Sequence, residues 1–234
     1  MEGAVNDTPI RRWHIFPDKD ELLSTLRSQL LREASKAIEK KGRFNIVLAG
    51  GKTPIALYHT LIDAETNWQV WHIYFGDERC LPQGDPQRND QMAKAAWLNN
   101  VPIPPDQIHS IPAELGAEEG AKQYNERSNK AEMFDLVLLG LGEDGHTASL
   151  FPNAETTYIS DNTLAIANAP KPPAERVSLS AKRLAQTAKL FFIVTGGNKR
   201  NAIERWRNDE PIPASMIKPS AGVDVYLDYL AAGR

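Results

Sequence analysis

"FDLVLLGLGEDGHTASLFP", residues 134–152, decides how this chain is read. Its first seven residues, Phe134 to Gly140, form an almost continuous apolar run of strand length, the pattern of a strand buried on both faces. Gly140, Gly142 and Gly145 then spell G-x-G-x-x-G, the phosphate-cradling fingerprint of dinucleotide-binding folds. That fingerprint needs a substantial helix after its third glycine, within a βαβ unit of about 30 residues. Pro152 leaves room for only a turn or two. The motif also falls late in the chain, and no acidic residue about 20 positions on has a clear strand-end setting. The stretch therefore reads as a glycine-rich turn that delivers Asp144 and His146 to a strand end.

Outward from this strand the same alternation continues. Strands are predicted at Arg12–Phe16, Phe44–Gly50, Val70–Phe75, Thr163–Ala169, Glu175–Ser180, Lys189–Gly196 and Val223–Asp228. Asp18 with Glu21 resembles a capping box, followed by Leu22, Leu26 and Leu30 at helical spacing up to Gly42. Thr53-Pro54 reads as an N-cap followed by proline at the first helical position. Further helices are expected at Asn89–Leu98 and Gly116–Ala131. The proline-rich pieces at 102–105 and 170–173 are short enough to be surface loops. Apolar strands alternating with helices predict an α/β protein, a single domain over 1–234, with a mostly parallel sheet and helices on both faces.

Composition narrows the function. With 41% hydrophobic and 24% charged residues, the chain has the makeup of a soluble globular protein. A formal charge of −3 argues against nucleic acid as the main partner. No run approaches the about 18 apolar residues of a membrane helix, and the first residues lack the apolar core of a secretory signal. Cys80 is the single cysteine, which excludes an internal disulfide and fits a cytoplasmic location. The expected partner is a small molecule, with the chain a monomer or small homo-oligomer.

Four loops leave predicted strand ends, where open α/β sheets bind ligands: "GGKTP", "GDERCLP", "GLGEDGHTAS" and "TGGNKR". In the first, a nucleotide P-loop would need glycine where Ile46 stands. Gly50 and Gly51 still lead into a helix N-terminus whose N–H groups favour an anion, with Lys52 and Thr53 adding a charge and a hydroxyl. In the second, Asp77 and Glu78 precede Arg79, whose guanidinium suits an oxyanion or phosphate; the triplet alone reads equally well as a solvated turn. Cys80 has no activating base beside it in sequence and reads as a buried thiol. Neutral imidazole is the usual proton acceptor near pH 7. A lone histidine is more often structural, but the glycine setting and the neighbouring anion loops favour a chemical role for His146. His14, His59, His72 and His109 form no metal-binding spacing, so no metal site is expected. Lys171, Arg176, Lys199 and Arg200 supply further cations, which together suit a substrate with a phosphate and several hydroxyls.

In order along the chain, "LAGGKTPIALY", "FGDERCLPQGDPQRND", "FDLVLLGLGEDGHTASLFP", "NAPKPPAERVSLS", "FFIVTGGNKR" and "PASMIKP" resemble the 6-phosphogluconolactonase family of the sugar-phosphate isomerase/deaminase-like α/β folds. Departures from the family pattern are Ala49 and Lys52 where serines are common, Arg88 where serine often precedes Asn89, and Lys218 where arginine is common. The resemblance implies hydrolysis of 6-phospho-D-glucono-1,5-lactone to 6-phospho-D-gluconate, the second step of the oxidative pentose phosphate pathway, with no metal or organic cofactor. It implies that His146 takes a proton from water attacking C1, that Arg79 stabilises the developing charge, and that Asp77 holds Arg79 or orients the site. Gly50, Gly51, Lys52 and Thr53 are then the phosphate loop, assisted by Arg88 or Lys199, with Asn89, Lys171 and Arg176 as further substrate contacts. Asp144 either fixes the tautomer of His146 or caps the turn.

Two rivals share the fold. Glucosamine-6-phosphate deaminases typically continue after the histidine to Asn-Glu-Pro, where this chain has Leu150-Phe151-Pro152, and phenylalanine transfers no proton. A non-catalytic sugar-phosphate sensor of the repressor type should carry a helix-turn-helix module, whereas one long helix is predicted before Phe44.

Overall fold

Continuous apolar runs become the central strands in the computed structural model, which describes residues 10–154, 156–158 and 160–234. The reading of the first nine residues as lacking a signal core lies outside the described residues. The chain begins with β1 (Arg11–Phe16), α1 (Lys19–Lys41), β2 (Phe44–Leu48), α2 (Lys52–His59), β3 (Trp71–Phe75), β4 (Asp77–Arg79) and α3 (Asn89–Ala96). It continues through β5 (Ile108–His109), α4 (Ala117–Ser128), β6 (Phe134–Gly140), β7 (Thr156–Tyr158), β8 (Thr163–Ile166) and β9 (Arg176–Leu179). The last elements are α5 (Ala181–Ala185), β10 (Thr187–Val194), α6 (Arg200–Arg207), β11 (Val223–Asp228) and α7 (Tyr229–Ala232).

Seven strands form one sheet in the order β1-β11-β10-β6-β2-β3-β5, and every neighbouring pair is parallel. Its centre is the most apolar part of the sequence. All five residues of β2 are buried, as are Leu136 to Leu139 of β6. Helix α1 lays Leu22, Leu26, Leu30 and Ala34 into this core, each fully buried. The Asp18 carboxylate accepts N–H bonds from Asp20 and Glu21 at its start, as the capping pattern predicts. Under β3, Trp71 packs against Phe44, Trp68 and Trp97, with ring centroids 4.7, 4.6 and 5.9 Å away. Buried aromatic clusters of this kind supply much of a core's apolar area.

The strand order sets the place of the site. From β2 the chain builds outward through β3 to β5, whereas β6, β10 and β11 build in the opposite direction. The order reverses between β2 and β6, and a crevice opens there beyond the carboxyl ends of the strands.

Three local expectations are corrected. The runs at Thr163–Ile166 and Arg176–Leu179 do not join the parallel sheet; they form a second, antiparallel sheet in the order β4-β9-β8-β7. "GDER" is not a free loop, because Asp77, Glu78 and Arg79 pair with Ser178, Val177 and Arg176. The chain leaves the first sheet at Gly76 and enters the second at Asp77, a switch set by pairing about a hundred residues away that no local pattern carries. Helix α2 starts one residue before Thr53, with Gly51 at its N-cap, and the Thr53 hydroxyl pairs with that of Thr195 at 2.7 Å. Pro54 still lies in the first turn, where a missing N–H breaks no helical bond.

Candidate active site

The loop after β6 is built around its histidine. Gly142 N–H donates to the His146 carbonyl at 2.8 Å, and Gly145 N–H donates to the Gly142 carbonyl at 3.1 Å, closing a tight turn. A side chain at Gly142 has no room: a Cβ there would lie 1.9 Å from His146 Nδ1. Gly145 has φ +87°, and a Cβ there would lie 2.7 Å from Ile212. Two of the three glycines of the apparent nucleotide fingerprint are thus required by the histidine turn itself.

The His146 imidazole pairs through Nδ1 with Asp144 Oδ1 at 2.5 Å, and its backbone N–H donates to the same oxygen at 3.2 Å. Asp144 therefore both holds the tautomer and caps the turn, joining the two roles left open by sequence. Burial opposes the Asp144 charge, but the hydrogen bonds from His146 outweigh it and hold the carboxyl below its ordinary range. A carboxylate accepts only, so Nδ1 carries the proton and Nε2 is the basic nitrogen. Burial pulls the His146 pKa below its ordinary 6.5, Asp144 opposes this, Lys171 adds to it and Asp77 opposes it. The imidazole is neutral at pH 7 and ready to accept a proton.

His146 lines a cavity of about 240 Å³ at the β2–β6 crevice. Gly50 and Gly51 close one side, and Asp77, Arg79 and Asn89 another; Lys171, Arg176 and Lys199 complete the wall. Residues from all four predicted loops and the Lys171 segment therefore meet around one space. Lys52 and Thr53 line an adjoining cavity of about 460 Å³ that shares Gly50, Gly51 and Lys199 with the first, and Lys19 and Thr195 also border it. Thr195 opens the TGGNKR loop, whereas Lys19 stands in no motif and only the fold brings it there.

Two polar atoms in the first cavity's wall are buried without a hydrogen-bond partner among the described residues: Arg79 Nε, a donor, and Asn89 Oδ1, an acceptor. The Arg79 guanidinium is anchored by a 2.5 Å bond from its NH1 to the Gln87 carbonyl. Asn89 is held by Nδ2 donating to the Asp77 carbonyl and carboxylate at 2.9 and 3.1 Å. Asp77 also accepts from the Ser149 hydroxyl at 2.5 Å and lies 4.0 Å from Arg176 NH1. Asp77 thus ties β4, α3 and the His146 loop together and does not clamp Arg79 directly.

Glu78, given no role by sequence, anchors the same wall. It is fully buried and accepts N–H bonds from Arg79, Asn89 and Asp90 at 2.8, 2.7 and 2.9 Å. Burial raises its pKa to about 7 against the pull of those three bonds. Only folding across the β4–α3 segment reveals this, since a lone glutamate in a charged triplet reads as surface.

Other expected residues take different places. Arg88 does not reach the cavity: it is 1% exposed and bound to Asp90, the Leu81 carbonyl, Glu114 and the Ile111 carbonyl. The serine position it occupies now carries a structural arginine. Arg176 spends Nε and NH2 on the carbonyls of Lys171, Pro172 and Pro173 at 3.0 to 3.2 Å, fixing the segment that presents Lys171. Lys199 is drawn below its ordinary pKa by burial; Glu143 opposes and Lys171 reinforces this. Lys218 borders a separate groove with Arg11 and Trp206. Burial, with Glu175 and Glu78 nearby, pushes the Cys80 thiol up to about 12, so it is no nucleophile at neutral pH. Among the described residues, no group of three or more His, Cys, Asp or Glu side chains is placed to hold a metal, and no helix is long and apolar enough to cross a membrane.

A family model described as glucosamine-6-phosphate isomerases/6-phosphogluconolactonase matches residues 17–226. The chain is 32% identical over 233 residues to a 6-phosphogluconolactonase of Nostoc sp., covering 94% of this chain and 96% of that protein. It is 34% identical over 210 residues to one of Synechocystis sp., covering 84% and 87%. The crystal structure of 6-phosphogluconolactonase from Thermotoga maritima superposes with a TM-score of 0.87 at 25% identity, covering 94% of this chain and all of that one.

Proposed function

The chain belongs to the glucosamine-6-phosphate isomerase/6-phosphogluconolactonase family, and we propose that His146 and its neighbours hydrolyse 6-phospho-D-glucono-1,5-lactone to 6-phospho-D-gluconate as the second step of the oxidative pentose phosphate pathway. One observation carries this reading: a neutral imidazole held by Asp144 shares a cavity with an unpaired arginine donor and two lysines. A base, an oxyanion donor and an anion-binding wall are what hydrolysis of a phosphorylated lactone needs.

The sequence of events follows from this geometry. His146 Nε2 removes a proton from water as the oxygen attacks C1. The carbonyl oxygen gains negative charge, and the Arg79 Nε–H, unpaired among the described residues, donates to it. Such donors contribute most when they are fixed beforehand, as Arg79 is by Gln87. When the C1–O5 bond breaks, the imidazolium returns its proton to the ring oxygen, and the acid product ionises. Asp144 stabilises the imidazolium in between. Lys171 and Lys199 hold the phosphate with the Gly50–Thr53 loop, and Asn89 Oδ1 accepts from a sugar hydroxyl. Asp77 and Arg176 keep this wall in place. A lactone is already activated toward water, so these groups suffice.

The deaminase reading is not favoured by the geometry. At the position where that family places its acid–base glutamate stands Phe151, whose ring packs on His146 with centroids 4.5 Å apart. The reading includes a cytoplasmic location, supported by the free thiol of Cys80.

The substrate assignment is tested by comparing the phosphorylated lactone with glucono-1,5-lactone. Two charge-assisted contacts worth about 1.5 kcal/mol each correspond to roughly a 10²-fold preference in kcat/KM. That preference is expected, and a ratio near one would sink the phosphate assignment.

A further inference from the structure

The turn after His146 folds the chain back on itself. Leu150 N–H donates to the Thr147 carbonyl at 2.9 Å, and the two residues form an isolated β-bridge. Ala148 takes φ +47° inside this turn, and the Thr147 hydroxyl is tied to the Gly140 carbonyl at 2.8 Å. The consequence is that Phe151, five residues after His146, returns over the imidazole. The rings are inclined at 37°, and Phe151 is 8% exposed. The phenyl ring also has the Arg176 guanidinium over it, 5.4 Å from the centroid. Arg176 in turn holds the carbonyls of Lys171, Pro172 and Pro173. A stack of imidazole, phenyl and guanidinium thus joins the base to the segment that presents Lys171.

We propose that Phe151 is a positioning residue for His146, fixing the plane in which Nε2 is presented and keeping water off the ring. It does so without touching a reacting atom. The role rests on the lactonase reading only for its effect on turnover; the effect on the imidazole is a property of the protein alone.

The physical argument runs through two effects of one contact. An imidazole held at one atom by Asp144 still swings about that bond, and a planar neighbour limits the swing. Misplacement of a catalytic group by about 1 Å costs as much as 10²-fold in rate. The same ring supplies part of the burial that is the largest influence on His146, and that burial favours the neutral base. The charged groups that act on His146 or share its cavity are Asp144 on its own loop, Asp77 and Arg79 on β4, Arg176 on β9, Lys171, and Lys199, on which Glu143 acts in turn. Arg205 of α6 approaches through the Asp144 carbonyl at 3.4 Å. A substitution at Phe151 removes none of these charges, so a changed titration reports the ring.

The test compares Phe151→Leu with Phe151→Tyr, which keeps the ring. The first readout is the ring-proton NMR titration of His146, identified by its absence in His146→Gln. The second is the pH dependence of kcat/KM on the phosphorylated lactone. Phe151→Leu is expected to move the His146 titration up toward 6.5, to carry the acid limb with it, and to lower kcat roughly 10-fold or more with KM little changed. Phe151→Tyr should titrate as the native protein does. If Phe151→Leu fails to fold, Phe151→Met reads the same quantity. A native titration in the folded Leu or Met variant overturns the proposal, and so does an equal shift in the Tyr variant. Because the titration needs no substrate, a failed lactonase assay leaves this test standing.

Discussion

Replacing His146 by glutamine lowers kcat by about 10² to 10⁴, the range associated with loss of a general base, while KM changes little. Glutamine keeps much of the bulk and one hydrogen-bonding group, so the pairing with Asp144 is retained in kind and the cavity stays filled. What it loses is a nitrogen able to accept a proton from water. The lysines and the glycine loop proposed to hold the phosphate are untouched, and binding is expected to survive. The pH dependence of the native enzyme follows from the same residue. His146 must be neutral, and its pKa lies below 6.5 through burial. Activity is therefore full above that pKa and is lost as pH falls through it, with the acid limb of kcat/KM placed below 6.5. A limb at or above 6.5, or a glutamine variant within threefold of native kcat, contradicts this role. Steady-state rates across pH 4 to 8 read both quantities.

Gly142→Ala is expected to cost nearly as much activity without unfolding the protein. Its Cβ would lie 1.9 Å from His146 Nδ1, 2.1 Å from Cε1 and 2.7 Å from Asp144 Oδ1. Those are ends of side chains rather than backbone, so they can rotate away at modest cost. Gly142 is not among the positive-φ residues, and alanine adds no backbone strain there. The result is an imidazole driven off its carboxylate. By contrast, alanine at Gly145 meets Ile212 from a left-handed backbone and strains the turn itself. The expected outcome for Gly142→Ala is a kcat reduced by about 10²-fold or more, with a thermal midpoint within a few degrees of native. Activity near native would show that the His146–Asp144 pair is not needed in this geometry.

Much of this architecture is legible in the sequence because its signals are local. The nearly continuous apolar runs of β2 and β6 announce buried parallel strands, and Pro152 excludes a nucleotide-binding helix after Gly145. The strand-end rule alone gathers Gly50, Arg79, His146 and Lys199 into one place. Signals that depend on partners far along the chain are not legible in this way. Nothing near Asp77 indicates that it pairs with Ser178 in a second sheet, and Glu78 looks like one more surface charge until α3 brings it two N–H donors beside that of Arg79. Arg88 shows the opposite error. A cation next to Asn89 invites a ligand role, yet Asp90 and Glu114 consume it. Lys19 sits outside every motif and reaches the neighbouring cavity only through the fold.

The central claim is tested most directly by adding the native protein to freshly generated 6-phospho-D-glucono-1,5-lactone at mildly acidic pH, where the background rate is slow enough to subtract, and following 6-phosphogluconate. The account predicts saturable acceleration with kcat of order 1 s⁻¹ or more, as for ordinary enzymes. A rate equal to that of buffer would contradict it.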